Sequence, residues 1–208
     1  MEIIKRIKTK IKNNTFKDIV RKLLRYFVNI ELHYKLDLNQ DAFRNILDKY
    51  KNYRLQILDN DTLIQMMNSY PLEISESTYK NLAKSLESNY FSKCYVIFHL
   101  DQIAGFVHVA PGYIYDSQNN KYIECNKNVY FFASYTFHNF RAKGVQTYAR
   151  AKLIETYKND GYLTSTGFIQ QGNWRNKKSI DKFDVVWEGK VFKFNLFGFK
   201  ITRVKQLI

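Results

Sequence analysis

Six residues near the middle of the chain, Arg141-Ala-Lys-Gly-Val-Gln146, have the composition of an anion site. They join two segments of opposite character. Before them, Asn128-Val-Tyr-Phe-Phe-Ala-Ser-Tyr-Thr-Phe137 is aromatic and β-branched, the composition of a strand buried on both faces. After them, Val145, Tyr148, Ala149, Leu153 and Tyr157 recur at helical spacing until Asp160-Gly161 stops the run. A strand, a glycine turn and a helix N-terminus bring several backbone N–H groups without intrahelical partners to one point. The helix dipole adds partial positive charge there, so the place favours an anion, above all a phosphate or pyrophosphate. Lys143 adds a full charge. The other reading of Gly144 is an ordinary strand-to-helix turn.

The surrounding elements must hold that loop. Cys94–Val109 reads as two strands joined at Asp101-Gln102, Tyr162–Phe168 as a further strand, and Asn173 opens a short basic helix. Upstream, Tyr53–Ile57 reads as a first strand. Asp59 or Asp61 can cap a helix around Leu63–Met67, Pro71 interrupts, and Ser75 can cap a helix carrying Tyr79, Leu82, Ala83 and Leu86. Val185–Glu188 and Val191–Phe197, joined by a Glu188-Gly189 turn, read as the last strand pair. This alternation gives an α/β domain over residues 51–208, built on one central, mixed, mainly antiparallel sheet flanked by helices. Residues 1–50 read as a basic helical N-terminal extension. Within it, 1 to about 40 is a leader that becomes extended or irregular over His33–Leu38, and Gln40–Tyr50 is another helical piece.

Arg141-x-x-Gly144-x-Gln146, set between this hairpin and this helix, resembles the pyrophosphate loop of the GNAT superfamily of N-acetyltransferases. Asn173, Asn176, Ser179, Ile180, Lys182 and Val185 fall in step with that family's second signature. The chain departs from the pattern at Ala133, Gln146, Ile180, Asp184 and Val185. The resemblance spans roughly Arg54–Lys200. It implies acetyl-CoA, or another short acyl-CoA, as co-substrate and no metal. In such enzymes an amine attacks the thioester directly, and a backbone N–H of the cofactor strand polarises the carbonyl. Alignment and that hydrogen bond supply most of the acceleration.

Carried over residue by residue, the carbonyl donor falls at Phe137. Pyrophosphate falls to Arg141, Ala142, Lys143, Gly144, Val145 and Gln146, and the pantetheine arm to Asn173, whose alternative role is a plain N-cap. An ammonium must lose a proton before it attacks, so a base or a water chain is needed. His108, Glu124, Tyr135 and His138 are the candidates near the reacting end; His108 reads better as a core histidine. Cys125 has no His-Asp partner pattern for a nucleophile, and no zinc spacing, P-loop or serine elbow is present. Tyr34-Lys-Leu-Asp-Leu38 behind a basic leader resembles unassigned members from bacterial surface-polysaccharide gene sets, which implies an amino-sugar acceptor. The rival expectation is a catalytically degenerate member serving as a CoA-binding, membrane or protein interaction module, and the departures favour it.

The 208 residues carry 33 Lys plus Arg against 19 Asp plus Glu, a net charge of +14. Ten basic and three acidic residues lie in Met1–Lys35, half of that excess. Ile3, Ile4, Ile7 and Ile11, then Phe16, Ile19, Val20, Leu23, Leu24, Phe27 and Val28, keep helical spacing, with a capping box at Thr15-x-x-Asp18. Such a segment, residues 1–35, either lies on an anionic membrane surface or packs on the domain or on a second copy as a homodimer. A nucleic-acid partner rests on charge and on interleaved aromatics near Trp174 and Tyr122–Phe132, which strand packing and a polyphosphate ligand also explain. Two cysteines, Cys94 and Cys125, read as free thiols, and no run of about 20 apolar residues suggests a membrane span. The location expected is cytoplasmic, or peripheral at the inner face of the membrane.

Overall fold

A computed structural model describes residues 28–87, 90–116, 119–196 and 199–206. The helical readings over 3–27, with the capping box, lie outside the described residues. In chain order the elements are β1 (Val28–Asp37), α1 (Ala42–Lys49), β2 (Tyr53–Ile57), α2 (Asn60–Ser69), α3 (Glu76–Lys84), β3 (Lys93–His99), β4 (Gln102–Asp116) and β5 (Lys121–Thr136). A 3-10 turn (His138–Phe140) follows, then α4 (Val145–Asn159), β6 (Thr164–Gln170), α5 (Trp174–Ile180), β7 (Val185–Leu196) and β8 (Phe199–Gln206). The strands form one eight-stranded sheet in the order β2-β3-β4-β5-β6-β1-β7-β8. Every neighbouring pair is antiparallel except β5 and β6. That parallel pair needs a crossover, and α4 supplies it. The expected mixed, mainly antiparallel sheet is therefore present, and both helix caps upstream form. Asp59 accepts from the Thr62 N–H at 2.7 Å and Ser75 from the Thr78 N–H at 3.2 Å.

Two readings are corrected. Val28–Asp37 is neither helix nor connection: it is a central strand with β6 on one side and β7 on the other. Tyr34, Leu36 and Leu38 are among the most buried side chains. Their alternation marks a half-buried strand, but Phe27-Val28 had already completed a helical pattern, and the helical period overran the boundary. The sheet therefore starts before residue 50. Glu188-Gly189 is likewise no turn. β7 runs through it, and the register against β1 slips there, with Gly189 opposite His33 and Trp187 opposite Tyr34. The extra residue, Glu188, is a bulge, which a Glu-Gly pair accommodates as well as a turn does.

The core lies where α4 crosses the sheet, with Val145, Tyr148, Ala149, Leu153, Ile154 and Tyr157 all buried. Above it, β4 and β5 approach so closely at Gly105 that a Cβ would overlap the Tyr135 carbonyl oxygen. Backbone cannot rotate aside as a side chain can, so Gly105→Ala should cost about 3 kcal/mol. Urea unfolding reads this directly, and an unchanged midpoint would contradict the packing.

Candidate functional site

The loop after β5 has the geometry of an anion cradle. Gly144 is the N-cap of α4 at φ +83°, in the left-handed region, and no side chain caps the helix. The N–H groups of Val145, Gln146 and Thr147 precede the first intrahelical acceptor. Glycine is required twice over, because a Cβ at 144 would also lie 2.5 Å from the Tyr50 ring. Tyr53 braces the loop from the same side, its hydroxyl donating to the Lys143 carbonyl at 2.9 Å. Ala142 also takes a left-handed φ, +63°. Ala142→Gly should therefore gain up to about 1 kcal/mol, the left-handed cost relieved less the added unfolded-state entropy. Thermal unfolding checks it.

Gln146 does not crowd the turn, as its size suggests it would. Its amide points back under the sheet, donating to the Tyr135 carbonyl (2.8 Å), the Thr136 hydroxyl (3.2 Å) and the Phe106 carbonyl (3.3 Å). The departure from a small residue thus ties the helix N-terminus to β4 and β5. Val145 is buried core. Lys143 is exposed, its ammonium 5.6 Å from the Phe140 ring.

Beside the loop the sheet opens. The β5–β6 ladder ends at Phe131–Gly167, whereas β5 continues to Thr136. The Phe137 N–H donates to the Ala104 carbonyl at 3.0 Å, and its buried ring stacks on Tyr70 at 3.7 Å. The carbonyl-polarising role expected of that N–H is therefore corrected: β4 has already taken it. Backbone groups alternate sides along a strand, so those of Ser134 and Thr136 face the open side. The Thr136 carbonyl accordingly accepts from Arg141 Nε at 3.3 Å.

On the α2–α3 side of β5 lies a cleft of about 500 Å3, of the size that takes small ligands. Ala133, Ser134, Tyr135, Phe132 and His108 form its floor, and Tyr90, Phe91, Thr78 and Asn81 its walls. His108 is buried with no charge partner, and desolvation pushes its imidazole down to about 4, so it is neutral at pH 7. Sequence reasoning missed Glu73. Tyr70 anchors the preceding turn by its stack on Phe137 and a hydroxyl bond to the Ile103 carbonyl at 2.6 Å. Glu73 follows Pro71, just before the Ser75 cap, and accepts from the Tyr135 hydroxyl at 2.9 Å and the His138 N–H at 3.0 Å. Arg141 Nη2 stands 4.0 Å from the same carboxylate and 3.2 Å from the Tyr135 oxygen. Burial first, then Glu73, raises the Tyr135 pKa, so the phenol keeps its proton at neutral pH.

The structure thus brings Tyr135, Arg141 and the His138 backbone to one cluster where cleft and loop meet. The remaining candidates stand apart. Glu124 is exposed on the outer hairpin, opposite Tyr113. Asn173 caps α5, accepting from the Asn176 N–H at 3.2 Å, which is the plain capping role. α5 nevertheless adjoins α4, with Ser179 and Thr147 hydroxyls 2.8 Å apart. Ile180 is fully buried. No described helix is long and apolar enough to cross a membrane.

No family model matches the chain, and no curated protein matches it in sequence. Solved structures do match its fold. A functionally unknown conserved protein from Staphylococcus epidermidis ATCC 12228 aligns with a TM-score of 0.56 at 11% identity, over 94% of this chain and 70% of that one. A GCN5-related N-acetyltransferase-like protein from Streptococcus suis 89/1591 aligns at 0.50 and 13% identity, over 86% and 67%. A protein assigned to the GNAT acetyltransferases, from Novosphingobium aromaticivorans DSM 12444, aligns at 0.50 and 9%, over 79% and 62%. The expected GNAT-like fold is the fold this chain has.

Proposed function

We propose that the protein is an acyl-CoA-dependent N-acyltransferase, moving an acetyl or other short acyl group to an amine held in the cleft. One observation carries the reading: a left-handed glycine at an uncapped helix N-terminus, placed where β5 and β6 part. The N–H groups of Val145–Thr147 would hold the pyrophosphate, with Arg141 and Lys143 supplying charge. The open edge at Ser134 and Thr136 suits the amide-bearing pantetheine arm. Their N–H groups, not that of Phe137, are the ones free to polarise the thioester carbonyl. The neutral amine attacks that carbonyl in a ternary complex, a C–N bond forms, the C–S bond breaks, the nitrogen gives up one proton to a base, and the thiolate takes a proton. Tyr135, protonated and on the cleft floor, is suited to give the thiolate its proton. His138 contributes its backbone to the Glu73 cluster, and its exposed ring is the candidate base at the loop.

The acceptor fitting the resemblance is an amino sugar of a surface polysaccharide. A basic segment before β1 would hold the protein at the inner face of the membrane or against a second copy. The occupied Phe137 N–H is the observation favouring a non-catalytic CoA-binding module instead. Thiol release from acetyl-CoA in the presence of glucosamine and a panel of primary amines separates the two. Amine-dependent release supports transfer; acetyl-CoA binding without release for any amine supports the module.

A further inference from the structure

Among the described residues, the cleft has one lining carboxylate, Glu73. Its side chain is 26% exposed, enough to meet a ligand while shielded from bulk water. Two of its contacts are fixed donors, the Tyr135 hydroxyl and the His138 N–H, which orient the carboxylate without neutralising it. The cation nearest to it is Arg141, at the long distance of 4.0 Å, and that guanidinium also lies 5.9 Å from the Tyr135 ring centre. Glu73 is thus a carboxylate with unspent acceptor capacity, facing a space walled by aromatic rings. Phe91, Tyr122 and Phe132 form one connected aromatic group there, with ring centres 4.5–6.5 Å apart. Thr78, Asn81, Ser92 and Ser134 add hydroxyl and amide groups around the same space.

We infer that Glu73 binds the ammonium of the acceptor and is the residue that makes this cleft prefer an amine carried on a hydroxylated ring. The inference rests on the acyl-transfer reading and adds the residue that selects the acceptor. A carboxylate–ammonium pair in a partly desolvated cleft is a charge-assisted contact, and ring faces reinforce a cation beside them. The polar side chains of Thr78, Asn81 and Ser92 provide partners for ring hydroxyls, while aromatic faces cover the ring's apolar side. A neutral sugar of the same shape leaves the carboxylate without its cation. Arg141 occupies the cation's neighbourhood until a polyphosphate at the adjoining loop draws it away.

Glucosamine and glucose differ at the one position that matters, ammonium against hydroxyl. With CoA present, the full chain should bind glucosamine about tenfold more tightly than glucose, the worth of one such contact. Glu73→Gln should abolish that preference by weakening glucosamine binding, with glucose binding within about twofold of the unaltered protein. Equal binding of the two sugars by the unaltered protein, which needs no variant to fold, would overturn the assignment. A preference that survives in Glu73→Gln would also overturn it. Acetyl-CoA titration of the unaltered protein reports separately: no binding there removes the acyl-transfer reading, whereas binding without amine preference removes only the role of Glu73.

Discussion

Alanine at position 144 should lower stability by about 2–3 kcal/mol and weaken acetyl-CoA binding at least tenfold. Two costs add. A non-glycine residue at φ +83° gives up about 1 kcal/mol, and the new Cβ must push the Tyr50 ring from a 2.5 Å overlap, costing a further 1–2 kcal/mol. For a chain of this length that is roughly 5–10 °C in the thermal midpoint. On the proposed pyrophosphate site, binding would suffer because backbone N–H groups must approach the anion closely, and a methyl group would displace the phosphate from them. The overlap can be isolated. In a Tyr50→Ala background the stability penalty of Gly144→Ala should shrink to the conformational share of about 1 kcal/mol, a coupling that a double-mutant cycle measures. Independent penalties would show that Tyr50 does not sit on the glycine.

Mild acid should destabilise the protein through His108. In the unfolded chain this imidazole protonates near 6.5, and in the folded protein not until about 4. Between those values the unfolded state binds the additional proton, so stability is intact above pH 6.5 and falls as pH drops through the window. The full loss from this group is about 3 kcal/mol. His108→Gln should flatten that part of the profile, measured by urea unfolding at pH 7.0 and 4.5. Parallel losses in both proteins would place the acid sensitivity elsewhere, since the carboxylates contribute equally to each.

The parts of the fold legible in the sequence were those where one pattern had a single structural meaning. The two strands of Cys94–Val109, the helical spacing after Gly144 and the caps at Asp59 and Ser75 all formed as read. Val28–Asp37 was misread because a strand can follow a helix without a glycine or proline between them, so two periods overlap at Phe27-Val28. Glu188-Gly189 was misread because a Glu-Gly pair inside a β-branched run is as compatible with a bulge in one strand as with a turn between two. At the candidate site, the left-handed glycine turn into α4 was legible because it is local to six residues. Glu73 was not, since 65 residues separate it from the His138 N–H that it accepts. Only the turn that Tyr70 pins to the sheet places it. Its one visible sign was to be a lone carboxylate between two helices, both capped. The reach of Gln146 to β4 and β5 was equally invisible, because residue size predicts crowding while side-chain direction decides it.

The proposed acyl transfer requires a working acyl-CoA site at the N-terminus of α4. Calorimetric titration of the full chain with acetyl-CoA, alongside CoA and a longer acyl-CoA, tests it most directly. Micromolar, saturable binding of acetyl-CoA, weakened at least tenfold by Gly144→Ala, is the result predicted. No binding of any of the three by the folded, unaltered protein would contradict it.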